Sequence, residues 1–304
     1  MMKLAFAIQE LARNRSASLK AVVSAGEGSL PCGRVSVGTR AQRARFGLCA
    51  LFAFALGVVA QTPDTVHLEE LTWMEARDAI KAGKTTILIP TGGTEQNGPH
   101  MVLGKHNFRI RHNAGLIARK LGNALVAPVM AYVPEGALEP AEGHMRFAGT
   151  ITLPDEYFRK VLEYAARSLK LHGFRDIVFI GDSGPNQPGM KAVTEMLNKE
   201  WKGSATRVHF IPEYYRGNGF EEWLLKQGIS KADVGTHAGV HDTSLLMAVD
   251  MKLVRKDKIA NGGGFAGSGV DGNPTKASAA LGKKGIEMIV ELTANLIRKS
   301  IAAR

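Results

Sequence analysis

Short β-rich runs, each ending near a glycine-rich polar loop and followed by a longer amphipathic stretch, recur along most of the chain. Thr85-Thr86-Ile87-Leu88-Ile89-Pro90 reads as a buried strand, and Ala124 to Val133, Asp176 to Ile180 and Arg207 to Ile211 read likewise. Between them, Asp155 to His172 places Phe158, Val161, Leu162, Ala165 and Leu169 on one helical face, with Gly173 where a C-terminal cap belongs. Ile286, Ile289, Val290, Leu296 and Ile297 form a comparable stripe near the end. Such alternation predicts an α/β fold with a mainly parallel central sheet covered by helices on both faces, because parallel neighbours need crossover connections. Binding sites in sheets of this kind lie at the carboxyl ends of the strands. No internal repeat or low-complexity linker divides residues 61–304, so a single domain is expected there.

Residues 1–60 have a different character. Phe46 to Ala60 carries no charge, follows Arg40, Arg43 and Arg45, and ends in Val58-Val59-Ala60, the pattern of a signal peptide. Spanning a bilayer as a helix takes roughly 20 apolar residues, more than this run offers. Cleavage near Ala60/Gln61 is therefore expected, giving a periplasmic or secreted protein with no stable membrane span. The formal charge of +11 divides into +6 for residues 1–60 and +5 for the rest. With no dense basic stripe interleaved with aromatics after the leader, nucleic acid is excluded as the expected partner. Both cysteines, Cys32 and Cys49, lie in the leader, so the body has neither a disulfide nor a thiolate metal site.

Four polar loops follow or flank the predicted strands. The first runs from Gly92 through Glu95, Gln96, Asn97, Gly98, Pro99 and His100 to Gly104-Lys105-His106-Asn107, putting a carboxylate and two imidazoles close behind an apolar strand. Oxygen and nitrogen donors of this kind suit zinc or manganese. The others are Glu142-Gly143-His144-Met145, Gly181-Asp182-Ser183-Gly184-Pro185-Asn186, and His237-Ala238-Gly239-Val240-His241-Asp242-Thr243-Ser244. Singly, each has a plainer explanation: Gly-Pro and Gly-Asn clusters make turns, and Asp182 or Asp242 suits a helix cap. Four of them at strand ends point to a shared pocket.

These loops resemble the creatininase (creatinine amidohydrolase) family. Its usual first motif is Glu-Gln-His-Gly-Pro-His-Leu-Pro-Leu-Gly-Thr-Asp, against which residues 95–106 align without a gap. His144 through Thr150 is similar to its His-x-x-Phe-x-Gly-Thr segment, Gly181–Asn186 to Asn-Gly-His-Gly-Gly-Asn, and His237–Ser244 to His-Ala-Gly-Glu-x-Glu-Thr-Ser. Gly269 to Thr275 matches a C-terminal segment, and the similarity covers roughly residues 66–300. The resemblance implies a three-layer α/β/α sandwich, a homo-oligomer, hexameric by family habit, and a small-molecule substrate.

It also implies a metal centre, altered in this chain. The family typically holds two divalent ions on the motif Glu, the motif His, a bridging Asp, the loop His and a further carboxylate. Here Glu95 remains, while Asn97, His106 and Ser183 stand at the places of the motif His, the Asp and the loop His. An imidazole cannot bridge two ions as a carboxylate does. One zinc or manganese ion per chain is therefore expected, with Glu95, His106 and Asp242 as first ligands and His241 and Asp182 next. By the same resemblance, His237 protonates a leaving nitrogen, and Asn97, His100, His144 and Ser183 orient substrate or support the ligands. The expected function is an exported metal-dependent amidohydrolase acting on a cyclic amide or other non-peptide C–N bond. The alternative is a periplasmic ligand-binding pseudoenzyme of the same fold.

Overall fold

The computed structural model describes residues 63–259 and 267–303. Both cysteines, the expected signal peptide and the expected cleavage site lie outside them. Among the described residues four strands make one parallel sheet: β1 Thr86–Thr91, β2 Ala124–Val126, β3 Asp176–Gly181 and β4 Arg207–Phe210, in the order β2-β1-β3-β4. The register pairs Thr86 with Ala124 on one side and with Asp176 on the other, and Asp176 with Arg207. The expected strand from Ala124 to Val133 is shorter than its apolar composition suggests. Pairing stops at Val126, and Met130 and Val133 make single bridges to Thr91 and Thr152.

The helices are α1 Trp73–Lys81, α2 Lys105–Leu121, α3 Asp155–Leu171, α4 Asn186–Glu200, α5 Phe220–Lys226, α6 Lys231–Val234, α7 Val240–Val249 and α8 Ala279–Ala302. Alternation along the strands assigns them to layers. Leu88, Val126, Val178 and Ile180 face a core shared with Ile110, Ala114 and Ile117 of α2 and Ile289, Ala294 and Ile297 of α8. Ile87, Ile89, Leu125, Ile177 and Phe179 face the opposite way, onto Phe158, Leu162 and Ala166 of α3 and Met190, Val193 and Leu197 of α4. Buried on both faces, the strands are continuous apolar runs. This is the three-layer α/β/α sandwich. In α3 the buried residues are Phe158, Leu162, Glu163, Ala166 and Leu169, whereas Val161 is exposed; the sequence stripe shares Phe158, Leu162 and Leu169 with the true face and strays from it at Val161.

A capping box starts α1: the Glu75 N–H donates to Thr72 Oγ1 (3.3 Å) and the Thr72 N–H to Glu75 Oε2 (2.7 Å). No residue of α1 is buried, so little else fixes its start. Thr72→Ala is expected to cost about 1 kcal/mol, read as a lower urea midpoint at unchanged slope; an unchanged midpoint would count against the box.

Candidate active site

All four polar loops meet beside the carboxyl ends of β1 and β3, around a cleft of about 1360 Å³ lined by Glu95, His106, Asp182, His144, His237 and Asp242 among others. Glu95 follows β1 and Asp182 follows β3 directly, so the sheet sets both carboxylates. Asp242 lies in the first turn of α7, where its Oδ2 accepts from the Ala238 N–H (3.0 Å). The segment Lys105-His106-Asn107, expected as loop, is the first turn of α2.

That helix places Lys105, His106 and Arg109 one, two and five residues past its cap, all buried. Together with the three carboxylates they close a ring of alternating basic and acidic groups. His106 Nε2 donates to Glu95 Oε1 (2.6 Å), and its Nδ1 lies 3.1 Å from Asp182 Oδ2. Arg109 Nε donates to Asp182 Oδ2 (2.7 Å) and a second guanidinium nitrogen to Asp242 Oδ1 (2.8 Å). Lys105 Nζ donates to Asp242 Oδ2 (3.2 Å) and stands 3.5 Å from Glu95 Oε1. Lys105 is 1% exposed and Arg109 3%. Both nitrogens of His106 face carboxylate oxygens, and Arg109 Nη2 also lies 3.4 Å from its Nδ1.

These cations decide the ionisation of the carboxylates. Burial raises the pKa of Glu95, yet the interaction with His106, through its hydrogen bond as well, and the charge of Lys105 outweigh it and hold the carboxyl well below its usual range. Asp242 is likewise opposed by burial and drawn far down by Lys105 and Arg109. Glu135 behaves in the opposite sense: burial first, then the charge of Glu95, push it up to about 10, so it is a neutral acid at pH 7. No protein donor reaches either of its oxygens, and its own O–H is the hydrogen available to Glu95.

On the cleft side of Glu95 stand His144 and His237. Together the three offer ligand atoms that all lie within 4.8 Å of one another. His237 Nε2–H donates to the Gln96 carbonyl (2.9 Å), which leaves a bare Nδ1 3.7 Å from Glu95 Oε1. Burial, then Lys105, lower the His237 pKa to about 4, so it is neutral at pH 7. Two lone pairs thus face each other with no hydrogen between, which suits a cation. Gln96 Nε2 donates to His144 Nδ1 (2.9 Å), leaving the hydrogen on Nε2 to be given to Glu95 Oε2 (3.1 Å). Ligation through Nε2 requires that hydrogen to move to Nδ1 and the Gln96 amide to turn with it. The donors fit one divalent ion, with His144 the adjustable member.

The remaining predicted residues are placed as follows. His106, Asp182 and Asp242 do surround Glu95, but each is already held by the ring. His241 stands 3.7 Å from Asp242 Oδ1 with its ring against Phe220, centroids 4.9 Å apart. Asn97 turns away from the cleft, its Nδ2 donating to the Glu95 (2.9 Å) and Val102 (3.2 Å) carbonyls. His100 pairs through Nε2 with Thr243 Oγ1 (2.9 Å), tying the first loop to α7. Ser183 is buried at the cleft wall, and its carbonyl accepts from Gln187 Nε2 (2.8 Å). The sequence reading passed over Lys105, Arg109, Glu135 and Gln96. Spacing within a helix could have found Lys105 and Arg109; nothing in the run around Glu135 marks it.

A family model described as creatinine amidohydrolase matches residues 69–297. The chain belongs to the creatininase family. A mycofactocin precursor peptide peptidase of Mycolicibacterium smegmatis is 28% identical over 218 residues, 70% of this chain and 84% of that protein. The creatinine amidohydrolase of Pseudomonas putida is 24% identical over 202 residues, 65% and 76% of the two chains. A solved creatininase described with Mn has a TM-score of 0.66 at 23% identity, over 78% of this chain and 98% of that one. A creatininase variant described as of Zn-Zn type gives 0.63 at 23% identity, with the same coverage. These creatininase structures establish the fold, and amidohydrolase is the class to which the family belongs.

Proposed function

We propose that the chain hydrolyses a cyclic amide or another non-peptide C–N bond with one divalent ion, zinc or manganese, held by Glu95, His144 and His237. The observation that carries this reading is the bare Nδ1 of a neutral imidazole facing an ionised, buried carboxylate at the wall of an open cleft. Bound there, an ion supplies Lewis-acid charge for a carbonyl oxygen. The chain's own residues do the rest. The Gln96 backbone carbonyl fixes the tautomer of His237, and its side chain orients His144. The ring behind Glu95 holds that carboxylate ionised and in place, and Tyr215, Arg146 and Arg216 line the cleft where the substrate enters. Export after cleavage near Gln61 and assembly into a homo-oligomer belong to the same proposal, supported by the signal-peptide pattern and the family resemblance.

The test is a screen of lactams, formamides, cyclic ureas and short peptides against protein loaded with Mn²⁺ or Zn²⁺. Turnover of a lactam or cyclic urea is the expected result. A peptide as the only substrate would overturn the non-peptide assignment, and stoichiometric binding without turnover of any member would favour the pseudoenzyme. His237→Gln is expected to lower bound ion and turnover together, turnover by more than about 100-fold. Full retention of the ion with turnover lost would instead give His237 the proton-transfer role expected from the sequence.

A further inference from the structure

The start of α2 is an unfavourable place for positive charge. The N-terminus of a helix carries partial positive charge, and cations there are destabilising unless something offsets them. Nevertheless Lys105, His106 and Arg109 occupy its first turns, no acidic residue accompanies them, and all three are buried. What offsets them is three carboxylates brought from three separate loops, Glu95, Asp182 and Asp242, each within 3.5 Å of two of these basic side chains. Lys105 and Arg109 bring two full positive charges to these three carboxylates, and His106 links Glu95 to Asp182 between them.

One member of this ring, His106, stands where the sequence departs from the family motif, and another departure, Ser183, adjoins the ring's Asp182. Where the motif has a bridging Asp, His106 stands, and Lys105 precedes it; the loop His is replaced by Ser183 beside Asp182. Carboxylates gathered at one point need positive charge between them. The Zn-Zn creatininase variant, by its description, holds two ions. In this chain the charge that a second ion would bring is covalently part of α2.

We propose that Lys105 and Arg109, with His106 linking Glu95 to Asp182 beside them, form a built-in basic cluster that takes the place of a second metal ion, so that the chain binds at most one divalent ion and keeps its three carboxylates together without any. The ligand this site accepts is thus one Mn²⁺ or Zn²⁺, on the His144–His237 side of Glu95 alone. Arg109 is the member that makes the substitution, since its guanidinium bridges Asp182 and Asp242 and is, among the described residues, the Lys or Arg cation paired with Asp182. This inference rests on the single-ion reading above only for the location of that one ion.

Stoichiometry and thermal stability test it without any substrate. Wild-type protein stripped by a chelator and titrated with Mn²⁺ or Zn²⁺ is expected to take up no more than one ion per chain and to lose only a few degrees of melting temperature on stripping. Arg109→Met leaves Asp182 and Asp242 facing each other in a buried site, so its stripped form should melt on the order of 10 °C lower. Mn²⁺ should then restore part of that loss, with uptake rising above one ion per chain. Two ions bound tightly by the wild type would overturn the proposal, even if Arg109→Met failed to fold. So would a wild-type melting temperature that collapses on chelation, or an Arg109→Met protein as stable as the parent. No ion at all in a chelator-insensitive wild type would leave the basic cluster standing while sinking the metal-hydrolase reading.

Discussion

Glu95→Gln is expected to abolish ion binding and lower hydrolysis by more than about 100-fold, while costing roughly 3 kcal/mol of stability. Glu95 is 2% exposed and is the one carboxylate that belongs to both halves of the site. Toward α2 it accepts from His106 at 2.6 Å and faces Lys105 at 3.5 Å; toward the cleft it faces His144 at 3.1 Å and His237 at 3.7 Å. Glutamine keeps the shape and removes the charge, so the ring retains three basic groups against two carboxylates. Its amide nitrogen also brings donors to positions already facing donors, which leaves buried hydrogens unpaired. Glu135 cannot simply take over. It is neutral at pH 7 because burial, and after it the charge of Glu95, raises its pKa, and ionising it instead places the charge on a side chain that no protein donor reaches. Elemental analysis and a denaturation curve decide the matter together. A variant that keeps one ion per chain at the parental midpoint would show that Glu95 is neither ligand nor keystone of the ring.

The layers were legible from sequence because burying a parallel strand on both faces leaves a short continuous apolar run bounded by polar loops. Ile87 to Ile89 and Ile177 to Ile180 are such runs, and their strands lie within a residue of expectation. Ala124 to Val133 misled for the same reason: it is apolar throughout, but its second half is buried as irregular chain, with single bridges in place of a ladder. At the site, the loops announced themselves through glycine, histidine and carboxylate at strand ends, and every candidate they offered except His144, His237, His241 and Asp242, which are half-buried, is buried there. What sequence could not display was partner choice. Only folding α2 against the sheet shows that Lys105 and Arg109 meet Asp182 and Asp242 from loops more than seventy residues away. Glu135 left no trace, because a lone carboxylate between apolar residues has no periodicity to betray that it is buried.

Gly282→Ala is expected to be the most damaging single methyl in the described part of α8, costing several kcal/mol and lowering occupancy of the site as well. A Cβ on Gly282 would overlap the Ser244 carbonyl of α7, a backbone atom that cannot swing aside as a side chain can. Nearby, Gly285 admits Phe220 and Leu245 equally closely, so the two helices cannot slide along each other to make room. The intrinsic preference of a helix for alanine over glycine returns only about 1 kcal/mol, whereas overpacking a rigid core typically costs about 1–3 kcal/mol and more where backbone must move. Relief therefore comes from displacing α7, and α7 carries Asp242 in its first turn. Moving Asp242 outward withdraws it from Arg109 at 2.8 Å and Lys105 at 3.2 Å. Two buried cations then lose their shared carboxylate, and the cost of packing becomes an electrostatic cost as well. A fall in melting temperature of roughly 5–10 °C, accompanied by weaker uptake of Mn²⁺, is the expected outcome, with exposed Lys283→Ala as the control on the same helix. Parental stability in Gly282→Ala would mean that the contact between α7 and α8 yields freely. Lower stability with unchanged ion uptake would mean that the position of Asp242 is set by its bond to the Ala238 N–H rather than by α8.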